Sequence, residues 1–324
     1  MKKRILTAAM LGILLGVGQA ANGQASYPTK PVRILVGFPA GQTTDLVARR
    51  LAQGLSRTLG QPFVVENRPG SGGSIAAELV ARSTPDGYTL LLSSSGPLAI
   101  NGALYSSLRY NAEKDFTPVA ALGWTPQLLL VPAQSPYRTL ADFVAAAKSK
   151  PGTLNYASGG NGVSNHLIME LFKQRAGLDM RHVPYKGSVP ALADLVAGRV
   201  DAMFDGPAVA QPFIKDGRLR ALAVSGETRM EQFPEVQTVR EAGYPGFKAL
   251  PWSGVVAPAG TPQPILDKLH AEISRTTESV EWQERLRIEG GERLVMSRNE
   301  FGAFIHAESE RWSEVVRKSG ARID

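Results

Sequence analysis

Val32-Arg33-Ile34-Leu35-Val36, then Gly37-Phe38-Pro39-Ala40-Gly41-Gln42-Thr43-Thr44-Asp45, then Leu46-Val47-Ala48-Arg49-Arg50-Leu51-Ala52-Gln53-Gly54-Leu55, read in turn as strand, loop and helix. The first run is short and rich in β-branched residues. The last spaces Leu46, Val47, Arg50, Leu51, Gly54 and Leu55 by threes and fours, and the helix it predicts covers 45–59. A second strand at 63–65, a helix at 74–82 and a third strand at 88–92 follow. β-α-β-α-β is the pattern of a parallel sheet with crossover helices.

The alternation resumes downstream. Strands are predicted at 128–131, 154–157, 181–183, 200–204 and 219–224, with helices at 139–148, 165–176 and 189–197 between them. Thr139 stands as N-cap of the first of these, with Asp142 in its first turn. An apolar run at 253–257 closes on Pro258-Ala259-Gly260-Thr261-Pro262, and helices at 263–276, 281–289 and 298–318 finish the chain. Two β/α units of similar size predict two α/β lobes. The C-terminal helices need a lobe to pack on, and the first has only two long helices of its own. The expected division is therefore 26–125 plus 253–324 as lobe 1 and 126–252 as lobe 2, joined by a hinge of two chain crossings. A cleft between hinged lobes is a place to enclose a small ligand.

Composition narrows the classes. The chain has 324 residues, 43% apolar and 20% charged, enough for two packed cores. It contains no cysteine, which removes disulfides, thiolate metal sites, a cysteine nucleophile and a lipid-anchored cysteine together. Its four histidines, His166, His182, His270 and His306, share no i,i+3 or i,i+4 spacing, and no metal site is expected. A basic start, Met1 to Arg4, leads into an apolar run at 5–17 and small residues ending at Ala20 and Ala25. This reads as a secretory signal peptide at 1–25, cleaved after Ala20 or Ala25, and too short to span a bilayer comfortably. Losing Lys2, Lys3 and Arg4 leaves 33 basic against 29 acidic residues, a mature charge of +4. With the cations scattered, a nucleic-acid role is not expected.

Three strand-to-helix loops could carry chemistry. Residues 38–45 run from the first strand into a helix N-terminus, where free amides and the helix dipole favour an anion; a plain turn capped by Thr44 or Asp45 is the alternative. Residues 67–74 carry a Gly-x-Gly start, but Ile75 stands where a dinucleotide fingerprint needs its third glycine or alanine, and the loop follows the second strand. Residues 156–166 repeat the first design in the second lobe, with Ser158, Ser164 and the Asn165 amide as donors. Two such loops would face each other across the cleft. His166 reads as a structural residue of the first helical turn. For catalysis the signals are poor: Ser93-Ser94-Ser95-Gly96 follows a strand without a G-x-S-x-G elbow, and a Ser/His/Asp triad would have to be assembled from His166 or His182 without a signature. Asp205, at a strand end, would select an amine or hydroxyl on a carboxylate ligand. Trp124 and Trp252 fall at the two crossings, where hinge packing and stacking on an aromatic ligand are both open, while Trp282 and Trp312 belong to terminal helices.

Taken in order, Tyr27-Pro28-x-Lys30-Pro31-Val32-Arg33-Ile34, Phe38-Pro39-Ala40-Gly41-x-Thr43-Thr44-Asp45, Val65-Glu66-Asn67-Arg68-Pro69-Gly70-x-Gly72-Gly73 and Pro85-Asp86-Gly87-Tyr88-Thr89-Leu90 form a recognisable series. It continues through Tyr156-Ala157-Ser158-x-x-Asn161-Gly162, Pro184-Tyr185-Lys186-Gly187, Asp201-x-Met203-Phe204-Asp205 and Ala257-Pro258-Ala259-Gly260-Thr261-Pro262. Over essentially the whole mature chain the series resembles Bug-type periplasmic solute-binding proteins of the tripartite tricarboxylate transporter family. The resemblance implies a two-lobed α/β Venus flytrap in the periplasm, monomeric and without catalysis or cofactor, that captures a small organic acid. Delivery would be to inner-membrane transporter subunits, one large and one small; a sensor for a signalling partner is the alternative. By the same resemblance the ligand-binding residues are Phe38, Ala40, Gly41, Gln42, Thr43, Ser93, Ser94, Ser158, Asn161, Gly162, Val163, Ser164, Tyr185 and Asp205, with carboxylates held by loop amides and bridging waters. Two positions depart from the family pattern: Gln42 replaces a glycine, and Val163 replaces a threonine. One adds a bulky amide and the other removes a hydroxyl. A more apolar wall suits an aromatic carboxylate such as a phthalate isomer, terephthalate among them; a tolerant site for ordinary dicarboxylates is the alternative.

Overall fold

The computed structural model describes residues 27–319, so the expected signal peptide lies outside the described residues. The chain runs β1 (Val32–Val36), α1 (Thr43–Leu59), β2 (Phe63–Asn67), α2 (Ser74–Ala81), β3 (Thr89–Ser94), a π turn at Gly96–Ile100, α3 (Asn101–Leu104) and β4 (Phe116–Trp124). It crosses into β5 (Leu128–Pro132), α4 (Leu140–Ser149), β6 (Asn155–Ser158), α5 (Ser164–Ala176), β7 (Arg181–Pro184), α6 (Ser188–Val196), β8 (Ala202–Asp205), α7 (Pro207–Lys215) and β9 (Leu219–Val224). It then returns through β10 (Trp252–Pro258) to α8 (Gln263–Glu278), α9 (Val280–Ile288) and α10 (Arg298–Ser319).

These strands form two five-stranded sheets, β2-β1-β3-β10-β4 and β7-β6-β8-β5-β9, and the fold is a two-lobed α/β structure. The expected β-α-β-α-β unit is parallel through β2, β1 and β3. The sheet is mixed rather than wholly parallel, because β10 inserts antiparallel between β3 and β4. The second sheet repeats the device, with β5 antiparallel to both β8 and β9. Runs such as Leu128-Leu129-Leu130-Val131 are buried throughout, as a strand covered on both faces must be.

Three elements escaped the periodicity reading. β4 carries Pro118 and Gly123, and α7 carries Pro207 at its start and Pro212 inside it; both sequences read as interrupted. α3 is a single turn after a π turn in which all five residues are buried.

The C-terminal helices pack over the first sheet. α8 lies against α1 and β4, and α10 against β4, the π turn and α3, with a further contact to α5 of the second lobe. Two glycines permit this approach. A Cβ at Gly54 would stand 2.3 Å from Thr276 Cγ2, and one at Gly254 2.2 Å from Phe301 Cζ. The indoles of Trp252 and Trp312 both donate to the buried Glu308 carboxylate at 3.1 Å. Arg50 reaches from α1 to the buried Glu289 at 2.8 Å, its guanidinium 5.3 Å from the Trp282 ring centre. Among the described residues no helix is long and apolar enough to cross a membrane.

Candidate functional site

Four helices of the two lobes begin at one cavity. The Gln42 N-cap of α1, the Val163 N-cap of α5, the Gly187 N-cap of α6 and the Gly206 N-cap of α7 each lack a side-chain hydrogen bond to the first-turn amides. Away from the cavity, α4 is closed by a full capping box, Thr139 with Asp142, and α9 by the Ser279 hydroxyl, while α2 and α8, with Gly73 and Pro262 at their N-caps, lack a side-chain cap as well. A helix leaves its first amides without intrahelical partners, and unless a cap takes them they remain available to a ligand together with the positive end of the dipole.

The cavity measures about 90 Å³, well above the roughly 10–15 Å³ needed to hold a single water. The first lobe lines it with Phe38, Gln42, Thr43, Thr44, Val47 and Ser94, and the strands beside the crossings add Gly123, Trp252 and Ser253. The second lobe supplies Gly159, Val163, Ser164, Asn165, Ser188, Asp205 and Gly206, with Gln127 at the head of β5. The lobes touch around it. Tyr105 OH donates to the Asn161 carbonyl at 3.2 Å, and the Ser95 and Ser164 hydroxyls lie 3.4 Å apart. The Gln42 side chain, instead of capping its own helix, packs on Gly187: a Cβ there would lie 2.4 Å from Gln42 Nε2. Thr43 Oγ1 stands similarly against Gly206.

Seven of the fourteen residues nominated from sequence line this cavity: Phe38, Gln42, Thr43, Ser94, Val163, Ser164 and Asp205. The other seven stand around it. Ala40 is exposed, and the Gly41 N–H donates to Asp45 Oδ2 at 2.9 Å. Ser93 points to the opposite side of β3 from Ser94, fully buried and, among the described residues, without a partner for its hydroxyl. Ser158, also fully buried, donates to the Gly160 carbonyl at 2.9 Å and lies 2.6 Å from His182 Nε2. Asn161 receives Tyr105, the Gly162 N–H donates to His166 Nδ1 at 3.2 Å, and Tyr185 OH donates to Asp194 at 2.7 Å. Thr44, Val47, Gly123, Thr125, Gln127, Gly159, Ser188, Gly206, Pro251 and Ser253 line the cavity without having been nominated. Thr44, Ser188 and Gly206 follow from counting the N-cap and first turn of each cleft-facing helix, a signal open to the sequence. The crossings' share needs the tertiary fold.

Electrostatics divide the site. Asp45 is buried beneath the first loop; burial alone would raise its pKa, but the Arg49 ion pair, the Gly41 amide and the Asn67 side chain hold it below the usual carboxylate range. Asp205 goes the other way. Burial lifts it to about 6, against a smaller downward pull from the Gly206 amide and the Ser188 hydroxyl. Its Oδ1 accepts the Gly206 N–H at 2.8 Å, while Oδ2 has no hydrogen-bond partner among the described residues. Under the second loop, His166 and His182 stack with ring centroids 4.0 Å apart, and Tyr156 extends the stack. Burial depresses His166 to about 4 and His182 to about 3, with Lys173 lowering both further. Both rings are thus neutral at neutral pH and serve as packed supports of the loop.

Comparison with known proteins converges. The family model described as tripartite tricarboxylate transporter family receptor matches residues 47–321. BugT of Bordetella pertussis is 39% identical over 318 residues, covering 97% of this chain and 98% of that protein. An R. palustris protein solved with adipate superposes with a TM-score of 0.87 at 37% identity, over 91% of this chain and 98% of that one. MatC from Rhodopseudomonas palustris with bound malate gives 0.83 at 37% identity, over 90% of this chain and all of that one. On the matched span, the identity and the shared two-lobed fold, the chain belongs to the tripartite tricarboxylate transporter receptor family, the group to which its motifs pointed.

Proposed function

We propose that this chain is a periplasmic solute-binding protein that closes on one small organic carboxylate. In this reading the lobes are 26–125 with 253–324, and 126–252, hinged at the two crossings. The monomer hands its ligand to an inner-membrane transporter of one large and one small subunit. The observation that carries the reading is the set of four uncapped helix N-termini, two lobes contributing, around one small cavity. Backbone amides there would hold the carboxylate, with the Thr43 and Ser164 hydroxyls at the same helix ends. The malate and adipate carried by the two relatives are of the same chemical class. No cofactor and no turnover enter this scheme. Among the described residues the one serine–histidine hydrogen bond, Ser158 with His182, is buried beneath the loop rather than in the cavity.

An aromatic carboxylate is the finer proposal. Phe38, Val47, Val163 and Trp252 give the cavity four apolar side chains, and Val163 takes the N-cap place where a threonine would present a hydroxyl. A ligand panel of aliphatic mono-, di- and tricarboxylates, amino acids and aromatic acids, read by thermal shift and then calorimetry, tests both levels. A ligand that binds only the folded protein raises its melting temperature. Shifts confined to aromatic acids are expected, relaxing toward aliphatic acids in a Gln42→Gly, Val163→Thr double variant. Shifts from aliphatic acids alone would remove the aromatic proposal, and no shift from any acid would remove the carboxylate reading.

A further inference from the structure

The cavity that draws an anion also contains one. Asp205 ends β8, 3% exposed and lining the cavity, and among the described residues only its Oδ1 is satisfied. Among the described residues Oδ2 is a buried acceptor with no hydrogen-bond partner, the Ser188 hydroxyl of the same cavity acting on Asp205 without meeting Oδ2 in hydrogen-bond geometry. The chain entering the adjoining strand brings a second such group to the cavity. Leu128 pairs with Asp205, and the preceding residue, Gln127, has a buried Oε1 that also lacks a partner and lines the same cavity. The Gln127 amide can turn to offer its NH2 instead, but a carboxylate has no such choice. A buried acceptor left without a donor costs more than a typical hydrogen bond gains, so a ligand that supplies one is strongly favoured. A ligand with a second carboxylate would set like charges together in a cavity with little room for screening water.

We propose that the ligand carries a hydrogen-bond donor, a hydroxyl or an amino group, in addition to its carboxylate, and that Asp205 Oδ2 accepts from it. The preferred class is a hydroxy or amino acid, and dianions such as terephthalate are disfavoured by the same oxygen. This rests on the carboxylate reading above and narrows it. Asp205 is then the specificity-determining residue, while the helix ends supply the affinity common to all acids.

Calorimetry on matched sets tests it: benzoate with its 3- and 4-hydroxy and amino derivatives and terephthalate, and succinate with malate and aspartate. In the wild-type protein at least one donor-bearing acid should bind about 10–100-fold more tightly than its unsubstituted parent, the span of one hydrogen bond to a charged group. The hydroxy and amino arms identify which donor is used. In Asp205→Asn that preference should fall by about the same factor, while the parent acid and the diacid keep or gain affinity. The melting temperature of the unliganded variant should not drop, since a buried charge has been removed. Carboxylate binding without donor preference, or an equal loss for every acid in Asp205→Asn, would overturn the proposal and leave the carboxylate reading standing. A panel in which no acid binds would overturn both.

Discussion

Gln42 and Gly187 meet across the cleft, and their contact makes a test at the level of single residues. Gly187 has φ +113°, a region that disfavours a side chain, and the Gln42 amide occupies the space a Cβ would need. Gly187→Ala should therefore cost about 1–3 kcal/mol of folding stability through backbone strain, while the Gln42 amide, the far end of a flexible side chain, can swing aside. Adding Gln42→Gly should restore little of that loss in denaturant melts. Full recovery by Gln42→Gly would place the cost in the collision instead. The histidine pair makes a second test. Because His166 and His182 titrate near 4 and 3 in the folded chain, the unfolded chain binds more protons below its ordinary pKa of 6.5. Stability is then fully present above pH 6.5 and falls toward pH 4, by up to about 1.4 kcal/mol per pH unit for each ring. Asp205, raised to about 6, works against this between pH 6 and 4, since its folded form takes up a proton first. Melting curves across that range should fall with acid, less steeply in His182→Phe; equal slopes would clear the pair of responsibility. At this scale the sequence was partly legible. Ser164 and Asp205 were named from their places at strand-to-helix junctions, and Thr43 and Val163 through the family resemblance. That Ser93 and Ser94 point to opposite faces follows from strand alternation, yet which face meets the cavity is decided only when β10 pairs with β3.

Helix ends and helix contacts were legible to different degrees. Thr139 with Asp142 was visible from spacing and is the full capping box seen in α4. The missing caps at the cavity are equally written in the sequence, as Gln42, Val163, Gly187 and Gly206, but they acquire meaning only once the four ends are known to converge. α7 and β4 were hidden by their prolines, which local rules treat as breaks and which the tertiary packing here accommodates. Gly54 offers the test for an element. It lets α1 lie against α8, and a Cβ would strike Thr276 Cγ2. Gly54→Ala should destabilise the fold by about 1–3 kcal/mol through overpacking despite its better helix propensity. Thr276→Ser, which deletes that methyl and keeps the hydroxyl bond to the Glu272 carbonyl, should recover most of the loss in denaturant melts. Failure of the serine to rescue would place the strain elsewhere.

Across the whole molecule, the two lobes meet through few polar contacts, and Tyr105 to the Asn161 carbonyl is one that a single atom removes. Tyr105→Phe should weaken ligand binding about 2–10-fold, the worth of one neutral hydrogen bond, and mainly by faster release. Trp252, lining the cavity, provides the fluorescence signal for stopped-flow measurement. An unchanged release rate would mean that this contact does not hold the closed form. The order of the strands carries a separate consequence, for the way the chain acquires its structure. The sheet β7-β6-β8-β5-β9 takes all five strands from one unbroken stretch, 128–224, and adds only a parallel bridge from Val224 to the nearby Thr238. The other sheet has β10 in its interior, so β3 and β4 wait for a strand made more than a hundred residues later. The buried Leu91 and Leu92 of β3 and Ala120 of β4 find their backbone partners in that strand. The middle of the chain can consolidate early through shorter-range pairings, while its two ends must find each other late. A ribosome or a protease that stops short of residue 252 would leave one half able to set and the other with two unpaired, sticky edges.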